Sequence, residues 1–275
     1  MDTRTKDLNS EELTTRSADG TRIGALKLGS GPPLVIVHGG LVTGEEYLPI
    51  AEQLADHFTC HLMDRRGGGR SGDADAYSID REREDVEAVL DVAGPEAYLL
   101  GHSWGATVAL EAARRRDPAG LVLYEPPLPV KGPAHQKAIE ICRAAVEKNQ
   151  PAEGLAAFFR DIVGVSGEQL SEIQETPLWG KMVSLTPRVI REMEAVDGLA
   201  PSLERYREVT APTLLLVGSL TTQDHLAGAS RELEGTLPNA RIAMLEGEAH
   251  MANLTSPDQV AREVAAFLLE LRSET

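Results

Sequence analysis

The stretch Tyr98-Leu99-Leu100-Gly101-His102-Ser103-Trp104-Gly105-Ala106-Thr107 decides how the rest of the chain is read. Three apolar residues in a row suit a short strand buried on both faces. Helical spacing takes over almost at once and continues through residues 106–116. A strand that turns into a helix through G-x-S-x-G holds its serine in a strained backbone geometry, with the hydroxyl at the tip of the sheet. The helix start behind it offers backbone N–H groups and a dipole that favours negative charge. A bare G-x-S-x-G is a weak signal, but the strand and helix around it mark Ser103 as a candidate nucleophile.

On either side of this turn the same rhythm repeats. Leu34-Val35-Ile36-Val37 and Leu121-Val122-Leu123-Tyr124 are further continuous apolar runs. Strand signals also fall at residues 58–63, 213–217 and 241–245, and helical spacing at 45–56, 79–92, 226–236 and 257–271. Strands alternating with helices imply βαβ units and a mostly parallel sheet with helices on both faces. Residues 13–16 and 21–28 alternate about Ala18-Asp19-Gly20, a hairpin signal that adds an antiparallel edge. Residues 1–12 have no apolar periodicity and read as a mobile tail.

Between Pro126 and Val209 the alternation fails. Helical spacing persists at 136–148, 155–163, 168–175 and 189–196, prolines punctuate it, and strand signal almost vanishes. A helical insertion between two sheet strands has to sit outside the sheet, over one end, as a cap. The expected organisation is a core of residues 13–125 and 210–275, with a cap of residues 126–209 between its halves. Phe158, Phe159, Trp179, Met182 and Met193 are expected to divide between cap core and pocket wall.

Composition narrows the function classes. The 275 residues carry 43 acidic and 27 basic side chains, a net charge of −16. Nucleic-acid phosphates and anionic lipid headgroups repel such a chain, and no basic block compensates. Cys60 and Cys142 make no disulfide framework and no CxxC pair. No apolar run approaches the roughly 20 residues of a membrane span, and the polar N-terminus is unlike a secretory signal. Arginine outnumbers lysine 21 to 6, which suggests a GC-rich bacterial source. The expectation is a cytoplasmic protein acting on a small molecule, its oligomeric state left open.

Four stretches, in this order and strand context, resemble the α/β-hydrolase fold superfamily over nearly the whole chain. They are Val35-Ile36-Val37-His38-Gly39-Gly40, Asp64-Arg65-Arg66-Gly67-Gly68-Gly69-Arg70-Ser71-Gly72, the Ser103 turn, and a histidine after the last strand. The fold implied is an eight-stranded, mostly parallel sheet with a helical cap after the sixth strand. A serine hydroxyl needs a base at neutral pH. The resemblance places it at His250, in the loop before the last helix. The two N–H donors of an oxyanion hole would be Trp104, the residue after the nucleophile, and Gly40, with Leu41 as the fallback.

The acid is less regular. Many relatives carry an aspartate three residues after a glycine like Gly218, but Thr221 stands there, with Asp224 three residues further on. The other known location, directly after the sixth strand, holds Glu125 in Glu125-Pro126-Pro127. Glu125 is preferred, because it ends the strand next to the Ser103 strand and two prolines stiffen its exit. Asp224 is as well placed to cap the helix that follows.

The reaction implied is hydrolysis of an ester, thioester or lactone of a small apolar acid through acyl-Ser103, without cofactor or metal. Two rivals stay open: a cofactor-free lyase or elimination enzyme of secondary metabolism using the same site, and a ligand-binding receptor on this scaffold. Gly67-Gly68-Gly69 lacks the Lys-Ser/Thr of a phosphate loop and reads as a tight turn. His38 and His102 read as neighbours of the site. His57, His61, His135 and His225 read as incidental, and His57-x₃-His61 has no third ligand for zinc.

Overall fold

The alternating apolar runs become eight strands: β1 (Glu11–Arg16), β2 (Arg22–Gly29), β3 (Pro33–Val37), β4 (Thr59–Met63), β5 (Tyr98–His102), β6 (Leu121–Tyr124), β7 (Thr213–Gly218) and β8 (Ala240–Leu245). A computed structural model describes residues 10–273, and within it the strands form one sheet in the order β1-β2-β4-β3-β5-β6-β7-β8. β1 and β2 pair antiparallel, as does β2 with β4. Every other pairing is parallel. The chain therefore has the eight-stranded, mostly parallel α/β-hydrolase architecture.

The pleat sends alternate residues to opposite faces. Leu34 and Ile36 pack with α1 (Leu48–Leu54) and α11 (Pro257–Ser273). Val35 and Val37 pack with α2 (Ile79–Ala93) and α3 (Trp104–Ala113). Between α3 and α11 lie α4 (Gln136–Glu147), α5 (Pro151–Phe158), α6 (Gly167–Glu175), α7 (Leu178–Ser184), α8 (Thr186–Asp197), α9 (Ala229–Thr236) and α10 (Ala252–Thr255). The segment between β6 and β7 contains α4 to α8 and no strand.

Three local differences from the sequence reading have physical causes. The expected helix over 45–56 begins as a 3-10 turn, Gly44–Tyr47, because Thr43 and Glu46 form a capping box there. α7 has only seven residues between two prolines, too few for a helical period to stand out. Glu11 and Glu12, expected in the tail, pair with Lys27 and Leu26, held by the ladder of an edge strand rather than by apolar burial. Residues 1–9 of that tail lie outside the described residues.

The strand order reverses at β3, with β4 on one side and β5 on the other. Loops leaving the carboxyl ends of β3 and β5 diverge, and such a switch point opens a crevice. His38-Gly39-Gly40 leaves one of these strands and Ser103 the other.

Candidate active site

Ser103 sits between β5 and α3 with φ 53° and ψ −129°, a left-handed backbone that a serine adopts at a cost. Two glycines make the turn sterically possible. A Cβ on Gly101 would lie 2.5 Å from the Cα of Ala106, and one on Gly105 would lie 2.3 Å from the carbonyl oxygens of Val37 and His38. The turn is pinned from beneath, where the Ser103 N–H donates to the Tyr124 carbonyl at 2.8 Å. Trp104 is the first residue of α3, so its N–H has no acceptor within the helix.

His250 Nε2 lies 2.9 Å from Ser103 Oγ, and its Nδ1 lies 2.6 Å from Glu125 Oε2. A carboxylate only accepts, so Nδ1 carries the proton and Nε2 is left to accept from the serine hydroxyl. Glu125 is fully buried, and its other oxygen accepts the Gly218 N–H at 2.8 Å. The glycine that usually precedes the acid thus holds an acid arriving from the neighbouring strand. Thr221 is buried with its hydroxyl unpartnered. Asp224 lies apart, its side chain 63% exposed and paired with Lys131 at 2.7 Å. The structure thus brings Glu125, and not Asp224, to His250.

His102 and Tyr124 hold the loop that carries His250. His102 Nε2 donates to the His250 carbonyl at 2.9 Å, while its Nδ1 accepts from Tyr47 at 2.5 Å. The Tyr124 hydroxyl donates to the Ala249 carbonyl and accepts the Ala252 N–H. Burial, then the nearby His250, keeps His102 well below the usual imidazole range, so it remains neutral for this task.

The Gly39–Gly40 peptide is oriented by two donors. The Arg65 N–H donates to His38 Nε2 at 3.0 Å, so His38 carries its proton on Nδ1 and donates to the Gly39 carbonyl at 2.7 Å. Arg65 Nη1 donates to the same carbonyl at 3.1 Å. No peptide is cis among the described residues, and a trans N–H points opposite its carbonyl. The Gly40 N–H therefore points away from His38 and Arg65. Leu41, the fallback donor, follows with φ 64°.

Arg65 is completely buried yet fully paired. It forms a two-pronged bond to Glu82, 2.6 Å on each prong, and a third bond to Glu192 at 2.5 Å. Glu82 in turn accepts from Trp104 and Tyr77. Burial raises a carboxyl pKa, but Arg65 outweighs it and brings Glu82 to about 2. Glu192 belongs to α8, and so does Arg188, which donates to the Val42 carbonyl at 2.9 Å. A Cβ on Gly40 would approach Glu192 Oε2 to 2.9 Å, so a bare glycine is what lets α8 sit this low. The sequence showed the Arg65-Arg66 pair but not its partners on α2 and α8.

Above Ser103 and His250 opens a cavity of about 800 Å³, mouth included. Phe158, Phe159, Met182 and Met193 line it, whereas Trp179 packs behind Phe159, ring centres 6.2 Å apart. Its polar wall groups beyond Ser103, His102 and His250 are Glu192, His135, His225 and Asn253. His135 and His225, which read as incidental, therefore face the same space as Ser103. Asn253 Oδ1 and His225 Nε2 are buried without a hydrogen-bond partner. Among the described residues no three His, Cys, Asp or Glu side chains are grouped to hold a metal ion.

Comparison with known proteins agrees with this architecture. The model of the alpha/beta hydrolase family matches residues 34–263. A curated 2-(acetamidomethylene)succinate hydrolase of Mesorhizobium japonicum is 25% identical, covering 95% of this chain and 98% of its own. A pimeloyl-[acyl-carrier protein] methyl ester esterase of Nitrosospira multiformis is 28% identical, over 87% and 95%. Among solved structures, an alpha/beta hydrolase from Sphaerobacter thermophilus superposes with a TM-score of 0.83 at 33% identity, covering 93% of this chain and all of that one. An esterase from Rhodococcus superposes with a TM-score of 0.75 at 25% identity, over 94% and 99%. Sheet order, family model and a relative sharing a third of its residues over nearly the full length agree, and the chain belongs to the alpha/beta hydrolase family as an α/β-fold hydrolase.

Proposed function

We propose that this hydrolase cleaves a carboxylic ester, or the equivalent thioester or lactone, of a small, mainly apolar acid. Ser103 is the nucleophile, His250 the general base and Glu125 the acid that orients it. One observation carries the reading: the continuous hydrogen-bonded line from Ser103 Oγ through His250 to the buried Glu125, at 2.9 and 2.6 Å. As Ser103 attacks, His250 Nε2 takes its proton, and Glu125 stabilises the imidazolium so formed. The negative charge on the former carbonyl oxygen is met by the N–H groups of Trp104 and Gly40. The tetrahedral species collapses as His250 returns its proton to the leaving oxygen, and water drawn on by His250 then releases the acid.

The helical segment of residues 126–209 acts as the cap and supplies much of the acyl pocket, through Phe158, Phe159, Met182, Val189 and Met193. The esterases and hydrolase among its relatives support the ester chemistry.

A fluorophosphonate probe followed by peptide mass spectrometry tests the reading. Labelling is expected at Ser103 alone. Ser103→Ala is expected to abolish both labelling and ester turnover, with a loss in kcat on the order of 10⁶, as for a protease triad serine. Labelling or substantial turnover that survives Ser103→Ala would overturn the assignment.

A further inference from the structure

His135, on the wall of the cavity, forms a second histidine–carboxylate pair that the hydrolytic chemistry does not use. His135 is 2% exposed, and its Nδ1 lies 2.7 Å from Asp197 Oδ1. Asp197 also accepts the backbone N–H groups of Ala134 and His135, so its carboxylate is locked in place at the start of α4. Burial raises the Asp197 pKa, but the bond from His135 outweighs that and keeps it lowered, so the carboxylate is ionised. The proton of a neutral His135 ring is then on Nδ1, and Nε2 keeps its lone pair.

His225 stands against it edge to face, ring centres 5.2 Å apart at 81°. It comes from a different element, the turn Asp224–Gly228 after β7, and its carbonyl accepts the Leu128 N–H at 3.1 Å. Burial, then His135 and His250, lowers its pKa to about 4, so at neutral pH it offers one N–H and one lone pair. Its Nε2 is closed off from solvent without a partner. Leaving a buried polar atom unpaired costs about 1–3 kcal/mol, and native structures rarely tolerate it without a use.

We propose that His135 and His225 form a specificity subsite that binds a hydroxyl group on the substrate, so that the preferred ester carries a hydroxyl beyond the scissile carbonyl. A hydroxyl matches this pair because it donates and accepts at once: it donates to His135 Nε2 and accepts from the N–H of His225. A carbonyl satisfies only the donor. A carboxylate is opposed by charge, since no lysine or arginine lines the cavity among the described residues and Glu192 already does. An anion buried without a counter-charge is costly. The identity of the bond cleaved rests on the ester reading above; the hydroxyl contact does not.

The test is calorimetric binding to the Ser103→Ala protein, which needs no turnover. The probes are methyl hexanoate, its isomers hydroxylated at the second, third or last carbon, and monomethyl adipate. At least one hydroxy ester is expected to bind about tenfold or more tightly than methyl hexanoate, with monomethyl adipate the weakest. Adding His225→Leu, or separately His135→Ala, is expected to bring that ratio close to one. The proposal is overturned if no hydroxy isomer exceeds methyl hexanoate, if the preference survives both substitutions, or if monomethyl adipate binds best. Absence of ester turnover in the unsubstituted enzyme would count against the hydrolytic reading alone.

Discussion

At the scale of single residues, the sharpest question is which carboxylate serves His250. Amide substitution keeps the shape of an acid but favours the wrong imidazole tautomer, at a cost of roughly 10⁴ in kcat in a serine protease. Glu125→Gln is expected to lose several orders of magnitude in kcat. Asp224→Asn, which removes only an exposed ion pair with Lys131, is expected to lose less than about tenfold. Steady-state kinetics on one ester decide between them, and the reverse ranking would move the acid to the end of β7. The ambiguity lay in the sequence itself, where two carboxylates followed two adjacent strands. A bond between residues 125 positions apart has no local signature.

At the scale of elements, α7 and α8 are fastened to the sheet ends by charge. Lys181 of α7 bonds Glu46 at 2.5 Å, Arg191 bonds Asp73 at 3.0 Å, and Glu192 and Arg188 reach Arg65 and Val42. Removing one partner of a buried pair strands the others, at about 3–5 kcal/mol. Arg65→Met is therefore expected to lower the urea midpoint strongly. It is also expected to lower kcat more than it raises KM, because the Gly39 carbonyl loses one of its two anchors. A stability loss with unchanged kcat would show that His38 alone holds that peptide. The cavity wall separates in a similar way. Phe159→Leu is expected to shift preference toward bulkier acyl groups. Trp179→Ala, one layer behind, is expected to cost stability with preference unchanged. Rates on a series of acyl chain lengths, with melting curves, check both.

At the scale of the whole molecule, the folded state depends on histidines that stay neutral. Burial holds His38 and His102 well below the usual imidazole range, assisted by Arg65 and Arg188 at His38 and by His250 at His102. Burial brings His61 and His225 to about 4, with Lys27 and His135 adding to the effect. Unfolded histidine takes up its proton near 6.5, so below that pH the unfolded chain binds more protons and stability falls as pH drops. Two carboxylates add a later loss. Burial is outweighed by hydrogen bonds from Thr21 and Arg66 at Asp19 and by Arg65 at Glu82, and both sit at about 2. Their contribution is complete above about pH 5 and is lost progressively as pH falls through about 2. Calorimetry is expected to give a Tm lower by about 5 °C or more at pH 5 than at pH 7, with a steeper fall below pH 4. A Tm unchanged between pH 7 and pH 5 would contradict the burial of neutral histidines.

What the sequence determined by itself was the layering and the place of the Ser103 turn. Both are written in local periodicity: continuous apolar runs for strands buried on two faces, 3.6-residue spacing for the helices, and glycines where backbones nearly touch. The direction of the sheet and the position of the helical insertion followed from the order of those elements. Tertiary structure alone decided how the crevice is furnished. Arg65 meets Glu192 across 127 residues and His135 meets Asp197 across 62. On the sequence, Arg65 is one of two adjacent basic residues and His135 a histidine two residues after a proline. A buried charge or an unpaired imidazole acquires its meaning from what stands opposite, and only the folded chain sets which side chains those are.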